Sequence, residues 1–415
     1  MNRRITSFGI ILFLLSATVI AAKTTREDRL KRFPILEPAR QMVEQLLLPQ
    51  GGLNNTAVID VMQRIPRHRF VPPVHQSTAY LDQALSIGHA QTISPPYIVA
   101  YMTEQIDPKP TDKILEIGAG SGYQAAVLSL LADQVYTIEI VEPLGRQAET
   151  LLKQLGMDNV HVRVGDGYQG WAEAAPFDSI IVTCSPEAVP QPLIDQLKEG
   201  GRMIIPVGER YQQAFYLCKK INGKLEKERL MQTLFVPMTG EAEEKRVVQP
   251  DAANPTLVNG NFQEIQEDGN PAHWHYARNV TVLKGTSDES NVARFVRQRS
   301  GKTADMQDLG FSQMLQGFAI NGQSVPILRI NYWVRGEKVT ALQGPVMTPS
   351  ALLVFYDENR NIIDEIPLGR CTGSFNWRHV SNGIRIQPET REAVLFLGLL
   401  VSSGQMDIRE VEIKP

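Results

Sequence analysis

The chain has 415 residues, of which 43% are hydrophobic and 21% charged, and a formal net charge of −3. That length exceeds one ordinary core and suits two domains plus a terminal segment, and the composition excludes a disordered chain and a membrane-spanning bundle. The near-neutral balance leaves no basic footprint for nucleic acid, and the three cysteines, Cys184, Cys218 and Cys371, form neither a disulfide framework nor a metal-ligand spacing.

Arg3 and Arg4 precede the apolar run Phe8 to Ile20, and the small residues Ala21 and Ala22 precede Lys23. This is the order of a secretory signal peptide, residues 1–22, cut after Ala22; the run is shorter than the roughly 20 residues a spanning helix needs. After cleavage no stable membrane span is expected, and the mature chain is expected in the periplasm or secreted.

Leu36 to Leu48 places Leu36, Ala39, Val43, Leu46 and Leu47 on one helical stripe, and a second helix is expected from Asn55-Thr56 to Ile65, ended by Pro66. From Lys113 the chain alternates short apolar runs with helical periods. The runs Lys113–Ile117, Val135–Ile140, Val160–Val164, Ser179–Thr183 and Met203–Val207 are separated by helices over Ser121–Ala132, Glu142–Leu155 and Pro190–Leu197. Such alternation predicts a doubly wound, mostly parallel α/β sheet. Gln213 to Phe235, with Asn222-Gly223 at its middle, then predicts a hairpin at the sheet edge.

Gly118, Gly120 and Gly122 in Leu115-Glu116-Ile117-Gly118-Ala119-Gly120-Ser121-Gly122-Tyr123 follow a strand and open a helix, where a backbone turn can approach a ligand at the helix N-terminus. Glu116 precedes this loop, Glu139 ends the next strand, and Gly165-Asp166-Gly167 follows the third. An acid at the end of the second strand can accept both ribose hydroxyls, and one after the third can accept an adenine amino group. Glu116, Gly118, Gly120, Gly122, Glu139, Asp166 and Gly167 are therefore the candidate cofactor residues for an adenosyl ligand. A dinucleotide would require glycine at position 123, where Tyr123 stands. The plainer alternative makes the glycines a strand-to-helix turn and the acids solvated strand ends.

Several segments together resemble the protein-L-isoaspartate O-methyltransferase family. They are Pro66-Arg67-His68-Arg69-Phe70-Val71, Gln91-Thr92-Ile93-Ser94-Pro95-Pro96-Tyr97, the loop at 115–123, Gly165-Asp166-Gly167-Tyr168-Gln169-Gly170-Trp171, and Gly200-Gly201-Arg202 through Pro206-Val207-Gly208. The resemblance covers about Leu36 to Glu244 and implies S-adenosyl-L-methionine as cofactor, with methylation of the free α-carboxylate at isoaspartyl residues of damaged proteins or peptides. It implies Ser94 at that carboxylate and Thr92 nearby, as the catalytic residues. Ser94 before Pro95 also has the sequence of a helix N-cap. Gly88-His89-Ala90 and Thr183-Cys184-Ser185-Pro186 depart from the family's usual residues, at the rim of the peptide groove. His89, Tyr168 and Trp171 are read as groove or packing residues, since an ionised carboxylate needs no base.

Residues 247–254 are expected to link the methyltransferase domain, 23–246, to a second domain over 255–415. Beyond Pro255 short strands such as Ile327–Val334, Leu352–Tyr356 and Ala393–Val401 alternate with turn signals at Asn259-Gly260, Asn321-Gly322 and Asn382-Gly383. These predict an all-β jelly-roll sandwich. Asn254-Pro255 to Phe262 and Asp268-Gly269-Asn270-Pro271 with Trp274 resemble the opening of galactose-binding-like modules. That resemblance implies a carbohydrate partner, and alternation sets Trp333 on a polar face with Arg329, Asn331 and Arg335. Glu264 and Asp407 are the acids such modules offer a structural calcium ion, but Arg409 stands where another acid is usual, so no metal is assigned.

Three functions follow in order: isoaspartyl repair, methylation of another carboxylate or small molecule, and an inactive envelope binding module. Gln91 to Ser94 separates the first from the second, and the acids at the strand ends separate both from the third.

Overall fold

The computed structural model describes residues 24–267, 269–285, 290–297, 311–341, 348–400 and 402–415. The expected signal segment 1–22, Asp268 of the module-like opening and Val401 of the last expected strand run lie outside the described residues. Among those described, no helix is long and apolar enough to cross a membrane.

Helix α1 (Arg26–Arg32) starts at a reciprocal cap between Thr25 and Asp28. Its Arg26 and Arg29 donate to the carbonyls of Leu130, Ser129 and Ala132, satisfying helix-end acceptors that have no partner of their own. Helix α2 (Glu37–Gln41) continues through a π-helical turn over Met42–Leu47, so the apolar stripe at 36–48 is one helical run with a widened segment. Helix α3 (Thr56–Met62) begins at Asn55, whose side chain accepts from the Ala57 and Val58 amides. Strands β1 (Leu85–Gly88) and β2 (Gln91–Ile93) then pair as an antiparallel hairpin ahead of helix α4 (Pro96–Ile106).

The central sheet contains β3 (Lys113–Ile117), β4 (Gln134–Glu139), β5 (Val160–Val164), β6 (Phe177–Val182), β7 (Leu197–Glu209), β8 (Gln212–Ile221) and β9 (Lys224–Thr233), in the order β5-β4-β3-β6-β7-β8-β9. Pairing is parallel from β5 through β7, and the β8–β9 hairpin turning at Asn222-Gly223 closes one edge. Successive residues face opposite sides of the sheet. Ile114, Val135, Ile181 and Ile204 join α4, α5 (Tyr123–Ser129) and α6 (Glu142–Gln154) in one core, while Leu115, Ile138, Ile180 and Met203 join α7 (Gln191–Gln196) in another. Strands buried on both faces explain why their sequences run apolar without alternation.

The C-terminal region forms two five-stranded antiparallel sheets. One has the order β10 (His275–Arg278), β13 (Ser312–Ala319), β18 (Glu392–Leu400), β15 (Ala351–Tyr356), β16 (Ile362–Leu368); the other has β11 (Val280–Leu283), β12 (Val292–Arg297), β19 (Ser403–Lys414), β14 (Ile327–Thr340), β17 (Gly373–Arg385). Along β14, Leu328, Ile330, Tyr332 and Val334 are each fully buried in the core between the sheets, as the alternation requires, and Trp333 lies on the other side beside His379. One turn signal is misplaced: Asn382-Gly383 sits within β17, paired with Ile330 and Arg329 of β14. β17 is an edge strand, where an internal glycine is tolerated. Asp407 is bound by Arg294 and Arg335, and Glu264 pairs with His273, so both acids are committed to side chains of the chain.

The connection between the two parts is not a free tether. Glu241–Glu244 of the acidic stretch form helix α8, the Arg246 guanidinium donates to the carbonyls of Ser185 and Gly208, and Glu187 accepts from the Val247 and Val248 amides. The sandwich docks on the last strands of the central sheet. Tyr276 packs on the first core, its hydroxyl donating to the Leu234 carbonyl at 2.9 Å, and buried His275 meets the Tyr211 carbonyl at 2.9 Å. The Tyr276 hydroxyl also accepts from the Leu234 amide and meets the Thr233 hydroxyl, so Tyr276→Phe should cost about 1–3 kcal/mol, and Tyr276→Ala about 2–4 kcal/mol more through lost packing. Denaturant unfolding of the whole chain checks this; an alanine variant as stable as the phenylalanine variant would show that Tyr276 packs on nothing.

Candidate active site

β3 pairs with β4 on one side and β6 on the other, so the chain leaves their C-terminal ends in opposite directions and a crevice opens there. Gly118 turns out of β3 with φ of +95°, and a Cβ at that position would collide with the Thr183 hydroxyl, which donates to the Gly118 carbonyl at 2.7 Å. The two diverging loops are thus tied at the position where only glycine fits. Gly122, in the left-handed region, is the N-cap of α5.

A cavity of about 830 Å³ opens at this crevice. It is lined by Thr92 and Ser94 from the β2–α4 segment, Gly118 and Gly120 from the loop, Glu139 from the end of β4, and Gly167 after β5. The structure therefore gathers six of the expected site residues around one cavity. Glu116, Gly122 and Asp166 do not line it. Glu116 lies in β3, fully buried, with neither carboxyl oxygen hydrogen-bonded. The Asp166 carboxylate accepts from the Tyr168 amide at 2.9 Å and the Glu241 amide at 2.8 Å, fixing the turn that carries Gly167 and the start of α8.

Thr183 and Cys184, expected at the rim of the groove, line the wall, and sequence reasoning missed others on it, among them Gln124 and the segment Val236–Thr239. Val236–Thr239 carries no motif and arrives only because Pro237 bridges to Ser185. Burial beside three carboxylates pushes the Cys184 thiol up, away from nucleophilic use.

Glu139 is 4% exposed. Its Oε2 accepts from the Gly120 amide at 2.7 Å and its Oε1 from the Val141 amide at 2.9 Å. Burial raises its pKa, with these amides opposing the rise. Each oxygen keeps a lone pair for a hydroxyl donor.

Ser94 does not cap α4. The N-cap position is Pro95, without a side-chain cap bond, and Pro95 and Pro96 have no N–H. The first amide of the helix, that of Tyr97, donates instead to Asp82 Oδ1 at 2.8 Å. The Ser94 carbonyl accepts from Arg67 Nη2 at 2.7 Å, and Arg67, fully buried, also donates to the Ala79 carbonyl. The Ser94 side chain therefore meets the cavity with its backbone held from behind. At the rim, His89 and Ala90 turn the β1–β2 hairpin with φ of 52° and 61°, and His89 is exposed rather than packed.

Burial pushes Glu116 up to about 8; the neighbouring Thr137 hydroxyl opposes the rise and the Glu139 charge adds to it. At neutral pH the folded chain holds a proton there that the unfolded chain, with an ordinary carboxylate, releases. Stability should fall as pH rises from about 4.5 to about 8 and level off above. Glu116→Gln should remove this slope and raise the melting temperature at pH 8 more than at pH 5. Parallel melting curves for the variant and the parent would contradict the assignment.

Residues 38–243 match the family model described as protein-L-isoaspartate(D-aspartate) O-methyltransferase. A protein-L-isoaspartate O-methyltransferase of Opitutus terrae is 54% identical over 201 residues, 48% of this chain and 86% of that one. One from a Picosynechococcus species is 48% identical over 209 residues, 50% of this chain and 93% of that one. Among solved structures, a Plasmodium falciparum beta-aspartate methyltransferase in complex with S-adenosyl-L-homocysteine is 27% identical with a TM-score of 0.44, covering 48% of this chain and 98% of that one. With a relative matched over most of its length at more than half identity, the chain belongs to the protein-L-isoaspartate O-methyltransferase family.

Proposed function

We propose that the chain transfers the methyl group of S-adenosyl-L-methionine to the free α-carboxylate of L-isoaspartyl residues in damaged proteins or peptides. The observation that carries this reading is the cavity shared by Ser94 and Thr92 with Gly118, Gly120 and Glu139. The methyl donor supplies an activated, sulfonium-bound methyl. Buried acids and a glycine turn suit such a cationic adenosyl compound: Glu139 offers its remaining lone pairs to ribose hydroxyls, and Gly118, Gly120 and Gly167 let the backbone approach.

The acceptor, a carboxylate that ordinarily titrates at roughly pH 3.5–4, is already ionised at pH 7, so no side chain has to remove a proton. What remains is alignment with the methyl carbon and exclusion of water. The Ser94 hydroxyl donates to one carboxylate oxygen, with Thr92 beside it. Asp166 fixes the turn at Gly167 and keeps a lone pair on each oxygen for the adenine amino group. The ester formed re-cyclises more readily than the acid, which opens a route back to normal aspartate.

From the signal-like order of residues 1–22 we propose a mature protein outside the cytoplasm, beginning at Lys23, where the family resemblance alone would suggest the cytoplasm; N-terminal sequencing of the exported form should read Lys-Thr-Thr. We also take the sandwich as a galactose-binding-like module with a carbohydrate partner. Trp333 and Trp377 support this, on one outward face with Arg335 and Arg409 set against Trp377.

The reading is tested with paired isoaspartyl and aspartyl peptides and labelled methyl donor: label should enter the isoaspartyl peptide alone. Transfer to neither peptide would leave another carboxylate or a binding module. Ser94→Ala and Ser94→Gly should each lower kcat/KM for the isoaspartyl peptide by about 10- to 150-fold, the range for one hydrogen bond to a charge. Because Asp82 caps α4, the two variants should have similar stability, and cofactor affinity should stay at the parent value. Near-parent kcat/KM in Ser94→Gly would remove Ser94 from the acceptor site.

A further inference from the structure

Arg278 lies outside the residues matched by the family model, at the end of β10 in the sandwich. It nevertheless reaches into the methyltransferase domain. Its Nη2 lies 2.7 Å from Asp82 Oδ2 and its Nη1 donates to the Asp82 backbone carbonyl at 2.6 Å. The two side chains are 14% and 4% exposed, so the pair is largely removed from water.

Asp82 is the same residue that accepts from the Tyr97 amide, the first N–H of α4, and its Oδ2 also accepts from Gln50 Nε2 at 2.8 Å. On the other side of the segment, Arg67 holds the Ser94 carbonyl. The acceptor segment Ser94-Pro95-Pro96-Tyr97 is thus fixed at its two ends by two arginines, Arg67 directly and Arg278 through Asp82. Pro95 and Pro96 add no N–H, so the only backbone amide the start of α4 offers as an anchor is that of Tyr97, whose hydroxyl also donates to the Gly51 carbonyl at 3.0 Å.

We infer that Arg278 is a positioning residue for methyl transfer: acting through Asp82, it sets the first turn of α4 and with it the Ser94 hydroxyl, so the acceptor site is complete only with the sandwich docked. A buried carboxylate that loses its cation is left uncompensated, and it recovers by protonation or by turning toward water. Either course weakens its hold on the Tyr97 amide. Misplacement of a reacting group by a fraction of an ångström to an ångström has large effects on rates that depend on alignment. The cofactor residues lie on β3, β4 and the turns after β3, β4 and β5, and none of them is bonded to this pair.

This inference rests on the isoaspartyl reading for its activity measurement, and carries a second readout that does not. In the full-length chain, Arg278→Met should lower kcat/KM for the isoaspartyl peptide about tenfold or more, mainly through peptide KM, while affinity for S-adenosyl-L-methionine stays within twofold. Arg278→Lys, which keeps the charge, should recover part of the loss. Independently of catalysis, hydrogen exchange at the Tyr97 amide should accelerate in Arg278→Met, with residues 116–124 unchanged. Should Arg278→Met fail to fold, Arg278→Lys carries the test with a several-fold loss and faster Tyr97 exchange. Peptide kinetics and Tyr97 exchange at parent values in a folded variant overturn the inference. A drop in melting temperature alone, with both readouts unmoved, also overturns it and leaves Arg278 as docking only. If the parent itself methylates neither peptide, the isoaspartyl reading fails, and the Tyr97 exchange still decides the role of Arg278 in the segment's order.

Discussion

In the central sheet β3, β4 and β6 run parallel and end level, with Ile117 opposite both Ile138 and Val182. Parallel strands cannot be joined by tight turns, so each chain exit must leave the sheet on one side or the other. Where neighbouring exits part, backbone amides and carbonyls lose their ladder and must find partners elsewhere. Gly118 and Thr183 satisfy one another across this gap, and the Gly120 and Val141 amides converge on Glu139. The cavity follows from strand order, and the acids at its edge follow from the need to occupy stranded amides. Glu116 is the exception, a carboxyl buried in the strand without a hydrogen bond, and its proton is the consequence.

A reaction that needs no general base shifts the demand from pKa tuning to position. The groups on the acceptor side of the cavity are not proton-transfer residues: burial pushes the Cys184 thiol up, His89 stands exposed at the rim, and Ser94 offers a hydroxyl, while the one carboxylate that lines the wall, Glu139, is held by the Gly120 and Val141 amides. Precision must then come from how the Ser94 segment is anchored. Two prolines supply rigidity by fixing φ, and the hydrogen bonds that orient the segment come from residues distant in sequence, Arg67, Asp82 and, behind Asp82, Arg278.

The cofactor loop was legible in the sequence because strand, glycine turn and helix are consecutive, so local rules act on residues that are neighbours in space. The hairpin at Asn222-Gly223 was legible for the same reason. Ser94 shows the limit of such rules: a serine before proline has the local form of an N-cap, but the amide to be capped belongs to Tyr97 and goes to Asp82. Asp166 stands after the third strand as expected, and what its neighbours in sequence do not carry is the Glu241 amide, from beyond the last strand of the sheet, that also donates to its carboxylate. Asn382-Gly383 has turn composition, yet pairing with β14 on a sheet edge overrides it. The linker at 247–254 has the sequence of a tether because residues without period carry no trace of the distant Glu187 carboxylate that accepts from the Val247 and Val248 amides.

The docking of the sandwich solves a problem the methyltransferase sheet creates. β9 is its edge, and unpaired edge strands invite association unless charged or covered. The first part of β9 carries Lys224, Glu226, Lys227, Glu228 and Arg229, all exposed, which is protection by charge. Its last part, Leu230 to Thr233, carries no charge, and there Gln232 meets His273 and Gln266 of the sandwich while Tyr276 covers the strand end. Arg278 follows Tyr276 by two residues in β10, whose register shifts between His275 and Arg278 and where Tyr276 has a φ of 49°, so the residue that covers the edge and the residue that reaches Asp82 are aimed by a local irregularity rather than by regular alternation. The short strand that covers the edge also delivers a guanidinium to the base of the acceptor segment, and that contact joins the second core to the Ser94 segment of the first.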